Sequence, residues 1–125
     1  MDGFKRFGLY MVPEGALYRA GADWLGWDSV AARATQPPDL PGLPDDASTL
    51  SATPRKYGLH GTIKPPFRLA PGMTAADLAA RAQAFCASQA PVTVPSFVVR
   101  RLGGFIAIVP QSPSGPLADL AGACV

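Results

Sequence analysis

Apolar and polar positions along this chain change their period several times, and each change marks an element. Phe7 to Val12 is a short apolar run closed by Pro13, which predicts a strand. Gly15 to Trp27 follows with Leu17, Ala20, Trp24 and Trp27 at helical spacing, so one face of a helix can pack on a sheet. From Ser29 to Pro54 the pattern dissolves. Pro37, Pro38, Pro41, Pro44 and Pro54 punctuate it and Asp45-Asp46 add charge, which reads as a long Pro-rich surface loop, with a lid over a substrate cleft as the sharper alternative. A second strand is expected around His60 and is expected to stop at Pro65-Pro66.

Thr74, with Asp77 three residues on, has the form of a capping box ahead of a helix that presents Leu78, Ala82 and Phe85 as one stripe. Val92 to Arg100 suits a strand whose Pro95 implies an edge or a bulge. Gly103-Gly104 signals a turn, and Phe105 to Val109 completes a hairpin. Ser114-Gly115-Pro116 opens a last helix with Leu117, Leu120, Ala121 and Cys124 on one face. That helix reaches Val125 in mid-pattern, with no capping glycine, basic last turn or polar tail, so the polypeptide is expected to continue in the native protein.

Composition adds limits rather than a function. A chain of 125 residues with 48% hydrophobic content suits one domain with a modest core. The formal charge of +2 is too small to indicate a polyanion partner, and Lys5-Arg6, Arg55-Lys56 and Arg100-Arg101 read as solvated edges or turns. No segment approaches the roughly 18 consecutive apolar residues of a membrane span. Met1 to Pro13 lacks the apolar run of a secretory signal. Cys86 and Cys124, far apart within helical segments, read as small buried apolar residues in a reducing compartment, so a cytoplasmic location is expected. One histidine and two scattered cysteines make a transition-metal site from this chain unexpected.

The chemistry concentrates in Tyr57-Gly58-Leu59-His60-Gly61-Thr62-Ile63-Lys64-Pro65-Pro66-Phe67. In an extended backbone His60, Thr62 and Lys64 share one face, while Leu59, Gly61 and Ile63 turn to the other. An imidazole titrates near pH 6.5, and a hydroxyl and an ammonium can bind phosphate oxygens. Acid–base cleavage of a phosphodiester needs a base on the attacking oxygen and an acid on the leaving oxygen, roughly in line across phosphorus. One histidine fills only one of those positions. No G-x-S-x-G elbow is present, and neither cysteine has an activating neighbour.

His60-Gly61-Thr62 resembles the His-x-Thr signature of the two-histidine (2H) phosphoesterase superfamily. The wider chain resembles the phosphonate-metabolism protein family within it. The likeness rests on four stretches in order: Arg6-Phe7-Gly8-Leu9-Tyr10; Ala22-Asp23-Trp24-Leu25-Gly26-Trp27-Asp28; Arg55 through Leu69; and Leu102-Gly103-Gly104-Phe105-Ile106-Ala107-Ile108-Val109-Pro110. The resemblance implies an α+β fold, mainly antiparallel sheet with two or three helices packed on one face, forming one lobe of a bilobed protein. Each lobe would supply one His-x-Thr or His-x-Ser to a central cleft.

Residues 1–125 then correspond to the N-terminal lobe, and the second motif is expected in a missing C-terminal lobe or from a second copy of the chain. The resemblance makes His60 half of the acid–base pair and gives Thr62 a non-bridging phosphate oxygen. Lys64 is a further phosphate-binding candidate, while Tyr10, Tyr57 and Phe105 are candidates to flank the cleft. Trp24 and Trp27 are read as helix-to-sheet core. No cofactor or metal is implied. The expected substrate is a small cyclic or phosphonate-derived phosphoester, with an RNA end also open. The alternative is a non-catalytic module that binds a nucleotide or RNA end, and the lobe by itself is expected to be inactive.

Overall fold

The computed structural model describes residues 3–125. It is an α+β protein whose strands form three two-stranded sheets, accompanied by four α-helices. Two compact units divide the chain: Leu9–Ile63, and Lys64–Val125 together with the described residues through Gly8. Strand β1 (Phe7–Met11) pairs with β4 (Gly61–Phe67), the strand that directly follows His60.

Within Leu9–Ile63 the main element is helix α1 (Gly15–Leu25). Its inward stripe is Tyr18, Gly21, Ala22 and Leu25, spaced i, i+3, i+4 and i+7, with Ala22 and Leu25 buried. This corrects the stripe expected from the large apolar residues, since Leu17 and Ala20 are exposed and Trp24 and Trp27 only half-buried. Close approach sets the rotation of the helix. Leu59 sits against Gly21 so tightly that an added Cβ would stand 2.3 Å from Leu59 Cδ2.

Helix α1 ends at the left-handed Gly26, whose N–H donates to Ala22 O and Asp23 O, and side chains take the acceptor capacity that remains in the last turn. Ala22 O accepts from Thr35 Oγ1 at 2.7 Å, and Leu25 O accepts from Arg55 Nε at 2.7 Å and from the buried Ser51 hydroxyl at 3.3 Å.

The segment expected to be a loop from Ser29 carries short elements, and the first of them begins at Trp27, expected at the end of a helix that instead stops at Leu25. Strands β2 (Trp27–Asp28) and β3 (Arg33–Ala34) pair antiparallel, Trp27 opposite Ala34 and Asp28 opposite Arg33. The Asp28 carboxylate organises the turn between them, accepting from Tyr18 OH at 2.6 Å and from the Val30 and Ala31 N–H groups at 3.1 and 2.9 Å. Helix α2 (Ala47–Leu50) is capped by Asp46, whose Oδ1 accepts from Thr49 N at 2.8 Å. A 3-10 turn, Pro54–Lys56, leads to the His60 segment. These elements are built by side chains capping backbone over one or two turns, too short for periodicity to register.

In the other unit, helix α3 (Ala75–Ser88) starts with the expected capping box. Asp77 N donates to Thr74 Oγ1 at 3.2 Å, and Thr74 N donates back to Asp77 Oδ2 at 2.9 Å. Leu78, Ala82 and Phe85 form its less exposed stripe. Cys86, expected to be buried, is exposed, lying about 40° beyond Ala82 at the outer edge of that stripe; Cys124 is half-buried. Strands β5 (Phe97–Leu102) and β6 (Phe105–Pro110) form an antiparallel hairpin closed by Gly103-Gly104. The strand expected from Val92 begins only at Phe97, beyond Pro95, whose missing N–H cannot join a ladder. Helix α4 (Gly115–Ala123) is capped by Ser114, whose hydroxyl accepts from Leu117 N at 3.3 Å, and its half-buried face is the expected one.

Candidate functional site

His60 stands immediately before β4 rather than inside a strand. Strand β4 runs on through Pro65 and Pro66, where pairing was expected to stop. A strand in a two-stranded sheet has one unpaired edge, and proline is tolerated where its missing donor faces that edge.

The chain enters His60 through the 3-10 turn. Tyr57 N donates to Pro54 O at 3.0 Å, and Gly58 N donates to Arg55 O at 3.3 Å. Gly58 then takes a left-handed conformation, φ 71°. Its carbonyl lies 3.0 Å from His60 Nδ1. A carbonyl oxygen can only accept, so Nδ1 carries the proton. In the neutral ring the lone pair is then on Nε2, and in the imidazolium Nε2 holds the transferable proton. Either way Nε2 is the nitrogen left for chemistry.

The ring is half-buried and has one aromatic neighbour. Tyr10 meets it edge-on, with centroids 4.9 Å apart and planes at 83°. This is the T-shaped geometry favoured by the ring quadrupoles. Tyr10 remains 47% exposed, so it supports the imidazole without sealing it from solvent. Tyr57 is 68% exposed and free to meet a ligand. Thr62, two residues past His60, is also exposed, while Gly61 and Ile63 on the opposite strand face are less so.

The structure therefore brings Tyr10 and His60 into contact and leaves the Thr62 and Tyr57 side chains open. Lys64 and Phe105 fall in the other unit. Lys64 Nζ donates to the carbonyls of Cys124 and Val125 at 2.7 and 3.2 Å and lies 5.3 Å from the centroid of the Phe67 ring. Its charge is occupied by backbone acceptors at the end of α4. Phe105 is at the hairpin turn and 62% exposed. Among the described residues no three His, Cys, Asp or Glu side chains gather as a metal-ligating cluster, and no helix is long and apolar enough to cross a membrane.

Three supporting residues escaped the sequence reading. Arg55, read as part of a solvated basic pair, instead bridges Leu25 O at the C-terminus of α1 to Ser48 O and Ser51 Oγ of the α2 segment. Gly21 gives Leu59 its seat, and Gly58 supplies the acceptor for His60. The available signal was glycine inside a helical pattern and directly ahead of a polar strand, which marks close approach or a turn.

Residues 62–125, just over half of the chain, match the family described as "Protein of unknown function (DUF1045)". The chain belongs to that family. This DUF1045 chain is also similar to two curated proteins named "Ribose 1,5-bisphosphate phosphokinase PhnN". One, from Janthinobacterium sp. (strain Marseille), is 35% identical over 127 residues, covering 99% of this chain and 28% of the relative. The other, from Laribacter hongkongensis (strain HLHK9), is 34% identical over 131 residues, covering 96% of this chain and 29% of the relative. The chain thus spans less than a third of the length of these relatives. No solved structure matches it.

Proposed function

We propose that this DUF1045 chain supplies one half of the acid–base machinery of a 2H-type phosphodiesterase acting on a small cyclic or phosphonate-derived phosphoester. The observation that carries the reading is the His60 Nδ1 contact to Gly58 O, which reserves Nε2 for proton transfer. As the base, Nε2 takes the proton of an attacking water while a second acid–base group protonates the leaving oxygen; the roles reverse if His60 starts as imidazolium. The exposed Thr62 hydroxyl donates to a non-bridging oxygen, and the exposed Tyr57 ring gives an organic substituent a surface to lie on. Since the chain has one histidine, the second group comes from outside these 125 residues, from a second lobe or a second copy.

The names of the two relatives point to phosphoryl chemistry on a sugar phosphate, which suits a phosphate ester as substrate. Their kinase activity does not carry over as readily. The shared stretch is under a third of each relative, and it contains no G-x-x-x-x-G-K-[ST] loop to cradle nucleotide phosphates.

The test is hydrolysis of a 2′,3′-cyclic nucleotide by the full-length protein in the presence of a chelator. The expected result is turnover that falls by on the order of 10²–10⁴-fold in His60→Ala. Retained turnover in that variant contradicts the assignment. Phosphate-competitive, salt-sensitive binding with no product would favour the nucleotide- or RNA-end-binding module.

A further inference from the structure

Gly58 does more than turn the chain. An ideal Cβ built on it would lie 2.6 Å from Ser29 Cβ and 2.7 Å from Ser29 Oγ, on a backbone whose φ of 71° already disfavours side chains. Gly58 is itself buried, although it belongs to no regular element. Two constraints thus meet on one residue: the left-handed conformation that aims its carbonyl, and the Ser29 wall that its missing side chain admits. Ser29 belongs to the turn arranged around Asp28, and its hydroxyl lies 3.4 Å from Tyr18 OH. The wall is therefore tied to α1 through Tyr18 in its first half, while Arg55 ties the turn ahead of Gly58 to its C-terminus.

We infer that Gly58 is a positioning residue for His60: seated against Ser29, it presents its carbonyl to Nδ1 and so selects the ring tautomer whose free lone pair is on Nε2. The seat works through His60 and touches no substrate. This inference rests on the acid–base reading for its purpose, but its structural content is measurable without turnover.

The chain contains a single histidine, so the imidazole nitrogens give one unambiguous set of NMR signals. On the 125-residue chain, at a pH where the ring is neutral, long-range ¹H–¹⁵N correlation should show the protonated nitrogen as Nδ1. In Gly58→Ala the Nδ1–H form should give way to Nε2–H. Adding Ser29→Gly to that variant removes the atoms the new Cβ meets but leaves an alanine at φ 71°, so the share of Nδ1–H should rise above that of Gly58→Ala without reaching wild type. Melting curves recorded alongside separate loss of fold from loss of tautomer, and where Gly58→Ala does not fold, the double variant, expected below wild type in Nδ1–H, carries the comparison. An Nε2–H ring in the wild type overturns the proposal. So does an Nδ1–H ring kept in full in a folded Gly58→Ala, or a folded double variant with no more Nδ1–H than a folded Gly58→Ala. Correct tautomer behaviour without phosphodiester hydrolysis would leave the seat standing and remove the catalytic reading instead.

Discussion

Leu59, the residue before His60, is fixed by what α1 lacks. A glycine inside a helix costs about 1 kcal/mol relative to alanine, and Gly21 accepts that cost where Leu59 would collide with a side chain. Substituting Gly21→Ala sets a gain in helix propensity of about 1 kcal/mol against overpacking of roughly 1–3 kcal/mol. The expected net effect is destabilisation. In a Leu59→Ala background the Cδ2 and Cγ contacts are gone and only a tight Cβ contact of 3.2 Å remains, so the same Gly21→Ala change should be clearly less destabilising there. Urea unfolding of the four proteins checks this; an equal effect in both backgrounds would refute the packing argument. The exposure of Thr62 between the less exposed Gly61 and Ile63 was legible in the sequence because alternation along an extended chain is a local property. Gly21, Gly58 and Ser29 were not, because their importance depends on which distant residue arrives beside them.

Elements followed the same division. The capping box at Thr74, the face of α4 and the Gly103-Gly104 hairpin were readable because each is written in residues a few positions apart. The rotation of α1 was misread toward its bulkiest residues. A helix buries the face that its neighbours can approach closely, and here that face is lined by Gly21 and Ala22 rather than by Leu17. The 29–54 segment concealed β3, whose partner β2 lies just ahead of it, and α2, since elements held by aspartate-centred turns and caps are too short to show a period.

Arg55 joins these pieces by bonding the last carbonyl of α1 from the turn that leads to His60. A charge-assisted bond of this kind is worth roughly 1.5–3 kcal/mol, and Arg55→Ala should cost that much in chemical denaturation. Arg55→Lys should recover only part of the loss, since an ammonium cannot reproduce the guanidinium fork. Wild-type stability in Arg55→Ala would show the clamp to be idle.

Across the whole molecule, three aspartates, Asp46 and Asp77 exposed and Asp28 half-buried, share one electrostatic pattern. The Ser48 hydroxyl and then the Thr49 N–H and hydroxyl hold Asp46 down to about 2 from its ordinary 3.8. The Ala31 N–H and then the Tyr18 hydroxyl lower Asp28, and the Thr74 hydroxyl and N–H lower Asp77. A carboxyl depressed in the folded state stabilises fully above its unfolded value, and that contribution is lost as pH falls through the folded one. The melting temperature should therefore change little from neutrality down to about pH 5 on account of these groups. It should then drop through the interval from 3.8 to about 2. Asp46→Asn should make the drop shallower, and an unchanged acid profile in that variant would count against its role.

At this scale the α+β class was legible from alternating element types, whereas the division into units at Ile63 and Lys64 was not. It falls inside a continuous strand, where composition gives no break.

The proton transfer proposed for His60 is tested most simply by the steady-state rate of 2′,3′-cyclic nucleotide hydrolysis by the full-length protein in chelator, wild type against His60→Ala. Turnover should be measurable and should fall by at least about 10²-fold without the imidazole. Equal rates in the two proteins would remove His60 from the chemistry.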